Sequence, residues 1–375
     1  MIKNKKILII GGTGALGKTL VKRYCDSNEI IVLSRDEHKH YHLQKEYPNV
    51  HSIIGDVKDK GSIKNCLMRF KPHIVVNAAA LKHVPICEDD PFESVKTNIM
   101  GHQNVIESVT EVGDIETLMF VSTDKACNPI NVYGMCKSIS EKLYIEYAKQ
   151  RGVPKVVLVR YGNVLESTGS VIPFFKSLLQ NPSCAFLPIT DKNMTRFLLT
   201  LEQATDLIDW AYSFDGSHGK IAIPKIKSLK IVDIANVLKN SYGMDKVTLK
   251  NIGIRSGEKL HEEMISNEEW MRTEEHENFL IGNENIRDDR KSYNSFDSLM
   301  DSSEAQEFLQ KSGVLVSDYQ KRNECAVCDN SSLQEVLNLN EVPLAGYFPT
   351  KNQLEEKSTY PLRLLFCDDC KLVQT

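Results

Sequence analysis

The 375-residue sequence contains no apolar run as long as the roughly 18 residues that a membrane-spanning helix needs. It has no excess of positive charge either. Lys and Arg number 46 against 50 Asp and Glu, and a net charge of −4 argues against a nucleic-acid binder, which would carry a basic stripe. Internal repeats and low-complexity tracts are missing, and 41% hydrophobic with 26% charged residues excludes collagenous, coiled-coil and disordered chains. The start is basic, but only Ile7 to Ile10 are apolar before the glycines begin, too short for a secretory signal core. The expectation is a cytoplasmic protein of about two to three domains, with no membrane and no nucleic-acid partner.

What is present is unevenly distributed. Six of the ten cysteines (Cys25, Cys66, Cys87, Cys127, Cys136 and Cys184) are scattered and read as small hydrophobes in a reducing compartment. The other four form two pairs near the end, Cys325-x-x-Cys328 and Cys367-x-x-Cys370. Each short spacing puts two thiolates on one metal, and two pairs complete a closed tetrahedral site of the structural kind. Disulfides are the alternative reading, disfavoured without a secretory signal. A segment this small lacks a sizeable core, so Zn2+ bound by Cys325, Cys328, Cys367 and Cys370 would supply its stability.

Before this segment the chain alternates short apolar runs with helical stretches. Expected strands cover Lys5 to Ile10, Ile30 to Leu33, Ser52 to Ile54, Ile74 to Val76, Leu118 to Val121 and Val156 to Val159. The first run's lack of polar alternation fits a strand buried on both faces, and strands alternating with helical stretches make the fold class α/β with a doubly wound parallel sheet of the Rossmann type. Each strand runs into a polar or small-residue cluster at its carboxyl end, the edge where such sheets bind ligands. After about residue 165 the alternation loosens, and Ile221 to Pro224 with a helix around Ile231 to Leu238 suggests a smaller α+β substrate cap over 166–284. Residues 285–322, with a weak helix near Ser303 to Gln310, read as a linker leading out of the domain, and 323–375 as the zinc module.

The first strand is followed by Gly11-Gly12-Thr13-Gly14-Ala15-Leu16-Gly17 and then a helix. Glycines there allow a tight turn and a close backbone approach to a pyrophosphate held on the helix amino terminus. The end of the second strand selects the cofactor: an acid suits a ribose 2′-hydroxyl, an Arg a 2′-phosphate. Ser34-Arg35 points to NADP, while Asp36 one position later leaves NAD open.

Tyr133 and Lys137 are four residues apart on one helical face. A nearby cation favours the phenolate, which can then take a hydroxyl proton as hydride leaves the carbon. The cluster Ser122-Thr123-Asp124-Lys125 adds an acid and an amine at a strand tip. Oxidation alone needs only the hydroxyl and the Tyr–Lys couple. An acid and an amine beside them supply what elimination of water needs.

With these stretches, Asn77 to Pro85, Lys96 to Gly101, Asn128 to Tyr133, Arg160 to Val164, Ile189-Thr190, Met194 to Phe197 and Arg255 to Lys259, the first 320 residues resemble the UDP-N-acetylglucosamine 4,6-dehydratase (5-inverting) family of extended short-chain dehydrogenase/reductases. Ala15-Leu16 departs from the serine and aromatic of many relatives. The resemblance implies an NADP-binding domain over 1–284 with a core of about 1–165. Its catalytic residues would be Asp124, Lys125, Tyr133, Lys137 and Thr123. It places the cofactor against Gly11, Thr13, Gly14, Ala15, Leu16, Gly17, Ser34, Arg35, Asp36, Asp56, Val57, Ala78, Ala79, Ala80, Lys82, Asn98, Tyr133 and Lys137. The UDP-sugar falls to Lys82, Asn163, Arg196, Arg255 and Glu258. A homo-oligomer is expected by the same resemblance.

Cys325 to Cys328, Leu337 to Asn340, Val342 to Ala345, Tyr360 to Leu362 and Cys367 to Gln374 resemble the zinc-binding domain that precedes sugar C-methyltransferases. That implies a C-methyltransferase domain or partner, the sequence being either a fragment of a longer fusion or a chain that keeps the module for docking. A UDP-sugar 4-epimerase on the same fold and a non-catalytic NADP sensor with a zinc interaction module are the alternatives. The first would retain the carbon 6 hydroxyl, and the second would have lost the Tyr–Lys couple.

Overall fold

The computed structural model describes residues 2–167, 169–181, 183–244, 246–282, 288–315, 325, 327–328, 332–343 and 359–374. Two compact units emerge, Met1–Leu179 with Ala185–Leu315, and Gln180–Cys184 with Val316–Thr375.

In the first unit the apolar runs become β1 (Lys6–Ile10), β2 (Glu29–Ser34), β3 (His51–Ile54), β4 (Ile74–Asn77), β5 (Thr117–Val121) and β6 (Lys155–Val159), all parallel. Between them run α1 (Ala15–Tyr24), α2 (Glu37–Glu46), α3 (Lys60–Phe70), α4 (Val84–Asp89), α5 (Pro91–Val95), α6 (Gly101–Val112) and α7 (Val132–Ala148). Alternate residues of β1 supply opposite cores: Leu8 and Ile10 join one apolar cluster, Ile7 and Ile9 the other. Each buried side chain of this size contributes about 1.5–3 kcal/mol, which is why the sheet needs helices on both faces.

The later strands are short. β7 (Asn163–Val164), β8 (Phe186–Ile189), β9 (Thr195–Leu199), β10 (Ile221–Ile223), β11 (Ser228–Lys230), β12 (Thr248–Asn251) and β13 (Glu263–Ile265) surround α8 (Val171–Leu179), α9 (Leu201–Ser213) and α10 (Ile231–Ser241). After α11 (Asn267–Trp270) come β14 (Thr273–Glu275), β15 (Phe279–Ile281), β16 (Tyr293–Asn294) and α12 (Ser302–Lys311). The main sheet has the order β14-β15-β10-β6-β5-β4-β1-β2-β3. β1 lies between β2 and β4, so the chain reverses direction across it, and the crevice above that switch point is where such sheets bind ligands.

Two expectations change. Ile221 to Ile223 is a seventh parallel strand of the main sheet beside β6, not part of a cap. Residues 288–315 do not lead out of the domain. β16 pairs with β13, and α12 buries Ala305 and Leu309 on an Asp301/Glu304 capping box. The rest of that expected linker, 285–287 and 316–322, lies outside the described residues.

In the second unit β17 (Leu333–Pro343), β18 (Thr359–Cys367) and β19 (Val373–Gln374) form an antiparallel sheet, with Leu333 opposite Cys367. Leu344 and Ala345, quoted above for the module, lie outside the described residues.

Candidate active site and four-thiol centre

Register brings the strand tips into one row. Ile10 pairs with Leu33 on one side and Asn77 on the other, so the glycine loop, Ser34 and Ala78 share an edge. Gly11 has φ +82°, and a Cβ there would lie 2.8 Å from the Ala79 backbone nitrogen. At Gly12 it would meet the Val32 side chain at 2.7 Å, and at Gly17 it would overlap the Gly12 backbone. This cradle is shaped for a backbone-hugging phosphate group, over a helix α1 that has neither a capping side chain nor an acid in its first turn.

At the tip of β2, Ser34 Oγ bonds Thr13 Oγ1 at 3.0 Å and His40 Nε2 at 2.9 Å. Arg35 is half exposed, its nearest acid Asp56 at 3.9 Å. Asp36 is occupied elsewhere, since Oδ1 caps α2 by accepting from the Lys39 backbone at 3.1 Å, which holds its carboxyl below the usual range. Val57 is buried against Gly101. The Asn98 amide donates to Leu81 O and accepts from Leu81 N, both at 2.8 Å, so it fixes the loop through Ala80 from a π-helical turn.

The turn after β5 is the centre of the site. Thr123 Oγ1 donates to Asp124 Oδ1 at 2.9 Å, and Lys125 Nζ donates to the same oxygen at 3.0 Å and to Asn163 Oδ1 at 3.0 Å. Lys125 also lies 3.4 Å from Glu262 Oε1. Asp124 is fully buried, and burial raises its carboxyl, with Glu262 adding and Lys125 opposing. Lys125 is held as an ammonium, the attraction of Asp124 and Glu262 outweighing its desolvation.

Tyr133 sits at the start of α7, which Asn131 caps by accepting from Gly134 N at 2.7 Å. Gly134 has no alternative, because a Cβ would overlap Lys125 O. Burial pushes the Tyr133 phenol up to about 12, with Lys125 and the Thr123 hydroxyl pulling it down. The cation facing it in the protein is thus Lys125. Lys137, which the sequence spacing pairs with it, donates to Val121 O at 2.5 Å and lies over the Phe120 ring at 4.2 Å. Desolvation lowers the Lys137 ammonium to about 7.

Beneath the site is a buried charge network whose two acids, Glu141 and Glu269, no motif marked. Arg160 spans Glu141 (2.9 and 2.6 Å) and Glu269 (2.8 and 2.8 Å), and Ser122 donates to Glu141 at 2.6 Å. It ties β5 and β6 to α7 and α11, fixing the turn after β5.

The expected substrate contacts divide. Arg196 is turned inward, its Nη1 donating to Thr195 O at 2.7 Å and Leu260 O at 3.2 Å, with Glu262 at 3.8 Å from Nε. Asn163 serves Lys125, as above. Arg255 and Glu258 pair at 3.8 Å on a loop fastened beside the turn after β5 by Asn131 Nδ2 to Gly257 O and Lys259 Nζ to Cys127 O. Lys82 is exposed, yet partial desolvation lowers its ammonium, and His83 packs on Gly169.

In the second unit the four thiol sulfurs all lie within 4.8 Å of one another, Cys325 to Cys370 at 3.4 Å and Cys328 to Cys367 at 3.5 Å. A tetrahedral zinc tetrathiolate spaces its sulfurs by about 3.8 Å, whereas a disulfide needs about 2.05 Å. None of the four is in a disulfide, and backbone N–H groups of Val327 and Cys328 pull Cys325 down to about 6. The donor set fits zinc.

A Rossmann sheet, a glycine cradle at its switch point and the Thr123–Asp124–Lys125–Tyr133 constellation define a nucleotide-sugar dehydratase/epimerase of the short-chain dehydrogenase/reductase class. The chain belongs to the family described as "Polysaccharide biosynthesis protein", whose sequence model matches residues 7–284. A second family, "Putative zinc binding domain", matches 325–375. Among relatives, the UDP-N-acetylglucosamine 4,6-dehydratase (inverting) of Campylobacter jejuni is 42% identical over 76% of this chain and 85% of its own. The UDP-glucose 4-epimerase of Rickettsia bellii is 37% identical over 74% of this chain and 83% of its own. The crystal structure of Pen from Bacillus thuringiensis superposes with a TM-score of 0.76 at 31% identity, over 84% of this chain and 99% of that one. Among the described residues no helix is long and apolar enough to cross a membrane.

Proposed function

We propose that the first unit is an NADP-dependent UDP-N-acetylglucosamine 4,6-dehydratase that inverts carbon 5. The observation that carries this reading is the pairing of Asp124 with Lys125 at 3.0 Å beside Tyr133, because epimerisation has no use for a second acid–base pair. When bound, the nicotinamide would supply a hydride acceptor for carbon 4, the same hydride back to carbon 6 after water has left, and a positive charge at the C-terminal edge of the sheet. Tyr133, with Thr123 and Lys125 against it, takes the proton of the carbon 4 hydroxyl. Asp124 and Lys125 then take the carbon 5 proton and give one to the departing carbon 6 hydroxyl, and carbon 5 is reprotonated from the opposite face.

Arg35 would hold the 2′-phosphate, since Asp36 is committed to capping α2. Gly11, Thr13, Gly14 and the amino end of α1 would hold the pyrophosphate. Lys82 and Arg255, both exposed, are the cations we assign to the UDP diphosphate, with Glu258 near the ribose. The product would be a 4-keto-6-deoxy sugar. A ketone at carbon 4 acidifies carbon 3, which suits a C-methyltransferase acting next and gives the zinc unit a reason to be on this chain. The test is the fate of UDP-N-acetylglucosamine: a 6-deoxy-4-keto product supports dehydration, whereas UDP-N-acetylgalactosamine would support the epimerase reading that the Rickettsia relative favours.

A further inference from the structure

Glu262 was not singled out by any motif, yet it is as buried as the catalytic residues, at 2% exposed. Its backbone N–H donates to Ser295 Oγ at 2.8 Å, which fixes where the side chain starts. Oε1 lies 3.4 Å from Lys125 Nζ and 3.8 Å from Arg196 Nε, while Oε2 is buried with no hydrogen-bond partner. Asp124 mirrors it across the same ammonium, with Oδ1 at 3.0 Å and Oδ2 likewise buried and unpartnered. Two buried carboxyl groups therefore share Lys125. Groups so close titrate together, and burial disfavours charging both.

The surroundings decide which one stays charged. Glu262 is faced by Lys125 and Asp124 from the turn after β5, by Arg196 from β9 and by Lys259 from its own loop. Burial opposes its ionisation, but the three cations outweigh burial and hold it below the usual carboxylate range. Asp124 has one cation, Lys125, and the Thr123 hydroxyl on its side, too little to outweigh burial, and Tyr133 carries no charge to help it.

We propose that Glu262 is a positioning residue of the reaction: a fixed anion behind the Asp124–Lys125 pair that keeps the pair loaded with the proton it gives to the departing hydroxyl. The inference rests on the dehydratase reading above. In the elimination one proton leaves carbon 5 for the pair and one leaves the pair for the carbon 6 hydroxyl. The C5–H electrons form the C5=C6 bond, the C6–O electrons depart with oxygen as water, and the pair holds as many protons after the step as before.

The test compares wild type, Glu262→Gln and Glu262→Asp as full chains, following 6-deoxy product across pH. Removing the anion relaxes both Asp124 and Lys125 to lower values, so Glu262→Gln should shift both limbs of the turnover profile to lower pH by about one unit, a tenfold change in each protonation equilibrium. KM for the UDP-sugar should stay within about threefold, and Glu262→Asp, which keeps the charge, should restore the limbs. Limbs that do not move in Glu262→Gln overturn the proposal, whatever the rate. Should that variant not fold, infrared spectroscopy of the wild type decides. A protonated-carboxyl band at neutral pH that is missing in Asp124→Asn supports the proposal, and no such band refutes it. Wild type that forms no 6-deoxy sugar refutes the dehydratase reading instead, and the band still judges Glu262.

Discussion

Burial acts on Tyr133 and Lys137 in ways the sequence spacing does not convey. Lys137 is desolvated to about 7, so its charged form is disfavoured in the folded chain relative to the unfolded one. That cost is fully present below pH 7 and fades as pH approaches the ordinary lysine value near 10.5. Lys137→Met should therefore raise the melting temperature, more at pH 6 than at pH 9; thermal melts at both pH values check the sign. Asp124→Asn should lower turnover by about 10²- to 10⁴-fold, the usual worth of general acid–base catalysis, with UDP-sugar binding kept, as titration calorimetry would read. Arg35→Ser should weaken NADP at least about tenfold and NAD little, because a guanidinium serves only the 2′-phosphate. Asp124, Lys125, Tyr133 and the glycines were legible because each motif is contiguous and its chemistry local. Glu262, Glu141 and Glu269 were not, since an acid in a charged stretch declares itself only when folding sets it beside Lys125 or Arg160. Arg196 and Asn163 show the reverse, motif residues whose polar atoms are taken up by the protein itself.

Among the elements, the parallel strands were read to within a residue or so at their ends because buried runs such as Ile7 to Ile10 leave little choice. β10 was misplaced because three residues carry no period, and only pairing with β6 reveals its sheet. α12 was read as leaving the domain since its sequence is mostly charged. Its inward stripe is only Ala305 and Leu309, with Val314 just beyond. If that packing matters, Leu309→Ala should cost about 2–5 kcal/mol and lower the main unfolding transition, whereas a linker helix would leave it unmoved. A differential scanning calorimetry trace distinguishes the two.

The whole molecule combines two units with different sources of stability. The first rests on two apolar clusters against one sheet, the second on four thiols around a three-stranded sheet. Purified protein should carry one zinc per chain. Chelation should abolish the structure of the second unit while dehydration persists, since every catalytic residue named here belongs to the first. Metal analysis with parallel turnover assays checks this.

The central claim is most directly tested by proton NMR of UDP-N-acetylglucosamine incubated with the purified chain in heavy water, with no cofactor added. The account predicts a new 6-deoxy methyl signal, deuterium at carbon 5 and couplings of the inverted configuration. An unchanged sugar spectrum, with NADP shown to be bound, would contradict it.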